Sequence, residues 1–210
     1  MKINSRIHQA MLMGVLLTLL FSCMNNEYNL NAKVTGSFTD LRDGRIYKTV
    51  KIGDQWIMAE NFAYKPVEGN FWVYENDPVN IDKYGYLYDW ETAKKIAPEG
   101  WHLPSKKEWK TFRKSLGARM DVWSTMDKVY RQMIAGGGSG FNALFGGRFD
   151  FVSGEYRNIG KEAYFWSSTL TCDGPTNYVL ERESADAFLT DYGDPRGGKS
   201  VRLFKDLPSR

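Results

Sequence analysis

The stretch Gly100-Trp-His-Leu-Pro-Ser-Lys-Lys-Glu-Trp109 constrains this chain more than any other. Pro104 biases Leu103 toward extended backbone, so no helix is expected to run through that residue. Ser105 and Glu108 then stand at S-x-x-E spacing, a capping box that satisfies backbone donors at a new helix start. Such a cap contributes roughly 1 kcal/mol. Pro104 and Trp109 hold the flanking positions where an apolar pair staples the entering chain. Trp109, Phe112 and Leu116 follow at i, i+3, i+7, one apolar face that must find a core. The segment predicts a helix over 106–116 that ends near Gly117.

Other local signals surround this helix. The runs Ile46–Ile52 and Gln55–Met58 are rich in β-formers and flank Gly53-Asp54, which predicts a two-residue hairpin. Residues 71–79 are aromatic and loop-like. Tyr84-Gly-Tyr-Leu-Tyr88 alternates, predicting a strand with all three tyrosines on one face. Asp89 is placed to cap a short helix over 90–97, stopped by Pro98, with Trp90, Ala93 and Ala97 on one side. Residues 121–135 carry a weaker helical period through Val122, Met126, Val129 and Met133, and Gly136-Gly-Gly-Ser-Gly140 breaks the chain after them. The last third reads as strands over 149–152, 163–169, 178–182, 187–189 and 200–204. A hairpin, two short helices and a run of strands, with no internal repeat, predict an α+β fold.

The N-terminus reads as an address. Lys2 and Arg6 form a basic start, and residues 10–21 are an apolar run of 12. A helix needs about 20 apolar residues to span a bilayer, so the run is a signal-peptide core. Leu20-Phe-Ser-Cys23 resembles a bacterial lipobox, in which the cysteine becomes the acylated first residue. Several acyl chains on Cys23 would hold the protein stably to a membrane. The expected organisation is a signal peptide over 1–22, a polar tether over 23–37 and one domain over 38–207. The expected location is the bacterial outer membrane, with either face open.

Removal of residues 1–22 leaves 188 of the 210 residues, enough for one domain with a sizeable core. What remains carries 26 basic and 25 acidic residues, and so lacks the basic footprint of a nucleic-acid binder. His102 is then the single histidine, and with Cys23 acylated Cys172 is the single free thiol, so no internal disulfide forms.

Several blocks, in order, resemble the Fibrobacter succinogenes major paralogous domain family of secreted and surface proteins of Bacteroidetes and Fibrobacteres. Asp43-Gly-Arg-Ile-Tyr-Lys-Thr-Val-Lys-Ile-Gly-Asp-Gln-Trp56 and Met58-Ala-Glu-Asn61 are similar to its opening hairpin. Gly85-Tyr-Leu-Tyr-Asp-Trp90 and Gly100-Trp-His-Leu-Pro-Ser105 are similar to its centre. Phe141-Asn-Ala-Leu-Phe-Gly-Gly-Arg148, Phe165-Trp-Ser-Ser-Thr169 and Ser200-Val-Arg-Leu-Phe-Lys-Asp206 are similar to its close. The chain departs at Phe145, where the family pattern usually has proline, and through 117–136 and 170–199. More distantly, Leu103-Pro-Ser-x-x-Glu-Trp109 and Val201-Arg-Leu203 resemble the formylglycine-generating enzyme and C-type lectin-like folds. That resemblance implies two helices, a twisted antiparallel sheet and a long loop-rich region. The family has no defined activity to carry over.

Catalytic chemistry has little to build on. Cys172 would act as a nucleophile only with a base such as His102 folded against it, and His102, beside the capping box, reads as structural. One histidine and one cysteine do not make a zinc site. Asp173, Asn177, Asp191 and Asp194 place oxygens in turns that calcium uses, although such residues favour turns without any metal. The 31 aromatics include seven tryptophans; those within the family blocks read as core. Trp72, Tyr74, Trp123 and Tyr156 lie in glycine-rich or polar segments and are the candidates for ligand contact.

The favoured reading is a lipid-anchored envelope module that captures a glycan or a protein on a loop-rich face. The alternatives are a structural, adhesin-like lipoprotein without a small ligand, or an enzyme of the formylglycine-generating-like fold. Cys23→Ser is expected to move the protein from the membrane fraction to the soluble fraction, read by fractionation and by loss of metabolic fatty-acid labelling.

Overall fold

The computed structural model describes residues 33–119 and 125–207, and the folded unit begins at Thr35. β1 (Thr35–Thr39) pairs antiparallel with β2 (Ile46–Ile52), which turns through Gly53 and Asp54 into β3 (Gln55–Met58). The hairpin therefore forms where its spacing predicts. β1 was not legible, because its sequence Thr-Gly-Ser-Phe-Thr buries only part of Phe38, which packs 5.1 Å from the Trp101 ring. It starts within the stretch read as a tether.

The region 71–88 differs from the expectation. It holds β4 (Phe71–Trp72), a 3-10 turn (Tyr74–Asn76), α1 (Val79–Tyr84) and β5 (Leu87–Tyr88). Tyr84 closes the helix, so the three tyrosines do not share one strand face. The reason is steric: Gly85 sits at φ 71°, and a Cβ there would lie 2.5 Å from the carbonyl oxygen of Phe62. The backbone must turn at that point.

α2 (Trp90–Lys95) is capped as expected, the Asp89 carboxylate accepting from the Thr92 N–H at 2.7 Å. β6 (Trp101–His102) leads into α3 (Lys106–Ser115), whose capping box is complete: Ser105 Oγ accepts from the Glu108 N–H, and Glu108 accepts from the Ser105 N–H. α4 (Thr125–Met133) buries Val129, Tyr130 and Met133. The described residues thus hold four α-helices rather than two.

The closing part forms β7 (Gly146–Asp150), β8 (Glu155–Ile159), β9 (Glu162–Thr171), β10 (Gly174–Glu181), β11 (Asp186–Thr190) and β12 (Phe204–Lys205). One sheet has the order β1-β2-β3-β12-β6, the second β11-β10-β9-β7-β8, and β4 pairs with β5. Among the described residues the pairings between these strands are antiparallel except that of β7 with β9. The fold is α+β, with mostly antiparallel open sheets.

The expected strand over 200–204 is only partly formed, for a physical reason. Its backbone serves both sheets in turn. The Trp166 N–H donates to Ser200 O at 3.1 Å, the Phe62 N–H to Val201 O at 2.9 Å and the Met58 N–H to Leu203 O at 3.0 Å. Trp109 centres one core cluster, stacked on Tyr178 at 4.9 Å and edge-on to Phe112 and Phe204. Tyr47, Phe62, Tyr88, Trp90 and Trp166 belong to the other.

Arg202 is wholly buried, and among the described residues no carboxylate forms an ion pair with it. Its guanidinium donates to Asn61 Oδ1 at 2.7 Å, to Met58 O at 3.1 Å, to Asn142 O at 3.0 Å and to Phe141 O. Its carbon lies 4.5 Å from the Phe141 ring centroid. Burial lowers its basicity, yet a guanidinium stays charged in proteins. Arg202→Ala leaves these acceptors buried and unpaired, and is expected to cost on the order of 3–5 kcal/mol, read as a lower urea midpoint.

Candidate functional site: a groove on the second sheet

The period-two alternation of β9, β10 and β11 divides their side chains between two faces. Ala163, Phe165, Tyr178, Leu180 and Ala187 enter the core. Tyr164, Val179 and Phe188, directly paired across the three strands, line a groove on the opposite face. β7 runs beside β9 but meets it only at Gly147 and Ala163. The chain over 198–200 fills the gap. Gly198 exchanges both backbone bonds with Phe149 at 2.9 and 3.0 Å, and the Ser200 N–H donates to Tyr164 O at 3.1 Å. A Cβ on Gly198 would come within 2.7 Å of the Trp72 ring and 3.0 Å of Phe149 Cβ, so only glycine allows this close approach.

The resulting groove encloses about 410 Å³. Two aromatics lining it stay open to solvent, Tyr192 at 78% and Phe151 at 46% exposure. Its polar groups are mostly committed to each other. Arg148 pairs with Asp150 at 3.2 Å and Asp194 with Arg196 at 2.8 Å. The hydrogen bonds from Arg196 hold the Asp194 carboxyl below its usual range. Tyr164 bonds to Glu162, and burial pushes its hydroxyl up to about 12. Lys199 also lines the groove, although it is only 6% exposed, with Nζ 3.5 Å from the Trp166 ring centroid. Burial, with Arg148 adding to it, brings its amine down to about 7.

Three of the four aromatics singled out in the sequence come together, but not as an exposed patch. Trp72 stacks on Phe149 at 4.5 Å, Tyr156 packs on Phe149 at 5.2 Å, and Tyr74 packs on Tyr156 at 5.1 Å. Tyr74 is buried and the other two are half-buried. They brace Phe149, which lines the groove. Trp123 and Cys23 lie outside the described residues. Of the four oxygen donors, Asn177 and Asp194 line the groove. Asp191 instead bonds to Lys106 at 2.6 and 2.7 Å and accepts from Thr176 Oγ1 at 3.1 Å, while Asp173 is exposed beside Cys172. Among the described residues no three His, Cys, Asp or Glu side chains gather as metal ligands.

Apart from Asn177 and Asp194, the groove's lining residues were not singled out in the sequence. The alternation of β9 to β11 was a signal for Tyr164, Val179 and Phe188. Nothing local marked Lys199, whose burial depends on strands distant in sequence.

A family model, the Fibrobacter succinogenes major domain, matches residues 50–205. The chain belongs to this family. No curated protein and no solved structure matches it. The part assigned to the Fibrobacter succinogenes major domain contains the whole groove, including the stretch 170–199.

Elsewhere in the Fibrobacter succinogenes major domain, His102 is a clamp. Its Nε2 meets Glu108 at 2.7 Å and its Nδ1 meets Asp206 at 2.6 Å. It ties β6 to the start of α3 and to the chain after β12. Cys172 is exposed on the β9–β10 turn, and both His102 nitrogens are already taken by carboxylates. The hydrogen bond to Glu108 raises the His102 pKa above 6.5. Burial opposes ionisation of Glu108, but bonds from His102 and Ser105 prevail and bring it to about 2. The histidine's contribution is therefore complete below its unfolded pKa and is lost as pH rises through the folded value. The Glu108 contribution is complete above 4.5 and is lost as pH falls toward 2. Thermal unfolding is expected to show highest stability between these limits, and His102→Gln is expected to flatten its alkaline side.

Proposed function

We propose that this protein is a lipid-anchored binding module of the cell envelope that captures a glycan in the groove of the second sheet. The observation that carries the reading is the pairing of exposed rings, Tyr192 and Phe151, with a recessed polar floor. Sugar faces stack on aromatic rings, while hydroxyls need fixed donors and acceptors below them. A groove of this size falls within the roughly 300–1,000 Å³ of small-ligand sites. The anchor rests on the basic start, short apolar run and Leu20-Phe-Ser-Cys23 motif, with outer-membrane attachment through Cys23. Among the described residues no helix is long and apolar enough to cross a membrane. We read the fold as C-type lectin-like, supported by its short helices α2 and α3 and its antiparallel sheets.

Calcium has no part in this reading, because Asp191 and Asp194 are held by Lys106 and Arg196. The test is a glycan array with the full chain in detergent, with and without a chelator. Binding is expected, and is expected to survive chelation. Tyr192→Ala is expected to weaken it roughly 5–10-fold, equivalent to about 1–1.4 kcal/mol. A blank array would remove the glycan reading and leave capture of a protein partner in first place.

A further inference from the structure

Lys199 is the charged group of the groove whose bonding capacity is least used. Its backbone is fixed, exchanging hydrogen bonds with Tyr88 at 2.9 and 3.0 Å. Its side chain crosses the face of Trp166, which itself is held by Nε1 donating to Tyr88 O at 2.7 Å. The ring attracts an ammonium through its quadrupole but accepts no strong hydrogen bond. An ammonium carries three donors, and among the described residues none of those from Lys199 meets an acceptor. Burying such a group without a partner is costly.

Asp194 is close enough to favour the charged amine, but among the described residues no carboxylate forms an ion pair with it. From β7, Asp150 is shared by Arg148 and Arg157 at 3.2 and 3.9 Å. From the chain after β11, Asp194 is held by Arg196, and Tyr192 lines the groove. From β10, Glu181 accepts from Ser184 Oγ at 3.0 Å. From β9, the Tyr164 hydroxyl is committed to Glu162 and Asn158. Every carboxylate facing the groove thus has its own donor, and among the described residues the Lys199 ammonium has no hydrogen-bond acceptor.

We propose that the groove takes an acidic sugar, whose singly charged carboxylate or sulfate bonds to Lys199 Nζ while a ring of the ligand stacks on Tyr192 or Phe151. This deepens the glycan reading and rests on it. A single uncommitted cation fits a monoanion, since Arg148 is already spent on Asp150 and no second charge remains for a phosphate dianion. Burial brings the Lys199 amine down to about 7. A bound anion favours its charged form, so capture takes up a proton and strengthens as pH falls toward 7. The acid group on the sugar stays ionised across this range.

The experiment uses the full chain in detergent on an array of neutral, carboxylated and sulfated oligosaccharides, at about pH 6 and about pH 8.5. Acidic members are expected to bind roughly tenfold or more tightly at the lower pH, and the carboxylated and sulfated arms tell the two sources apart. Lys199→Gln is expected to abolish both the preference for acidic members and the pH dependence. Lys199→Arg is expected to keep binding but lose the pH dependence, since guanidinium does not titrate there. Should Lys199→Gln fail to fold, the pH profile of the natural protein decides alone. Binding of neutral members only, or of acidic members without pH dependence, overturns the inference and leaves the glycan reading standing. A blank array overturns both.

Discussion

The buried guanidinium of Arg202 is the contact on which the rest of the structure depends. It draws in the end of β3 through Met58, the loop after it through Asn61, and the 141–142 turn through two carbonyls. Asn142 sits at φ 52°, a conformation asparagine tolerates better than most residues, and its carbonyl meets Nη2. An arginine with no carboxylate partner avoids the desolvation of a second ion. It also leaves its geometry to be set by backbone carbonyls, which belong to fixed elements.

That anchorage decides the path of the chain on either side. Val201 and Leu203 bond toward the first sheet, while Gly198 and Ser200 bond toward the second. The same segment therefore joins the two sheets and wedges β7 away from β9, and the groove is the space left by the wedge. Trp166 serves both ends of this arrangement. It is fully buried in one core cluster, and its ring is the platform beneath Lys199. Core and site share a residue, so the groove inherits the rigidity of the packing below it.

What was legible in the sequence was what neighbouring residues decide. The capping box of Ser105 and Glu108, the Asp89 cap, the hairpin about Gly53-Asp54 and the alternation of β9 to β11 depend on spacings of a few residues. What was not legible depends on partners far along the chain. Trp72 and Tyr74 lie in a segment with polar neighbours, yet Phe149 and Tyr156 cover them from nearly 80 positions away. Gly85 turns the backbone because of Phe62, and Lys199 is buried because Trp166 lies beneath it. Asp191 reads as a turn residue until Lys106, from the start of α3, is brought against it.

The position of β12 bears on when this fold can exist at all. Phe204–Lys205 lies inside the first sheet, between β3 and β6, rather than at its edge. A chain emerging in order would hold β3 and β6 unjoined until Phe204, far beyond both in sequence, was released. Closure of the sheet, placement of Arg202 and opening of the groove would then arrive together, late and by long-range pairing. Until that moment the first sheet stays open between β3 and β6.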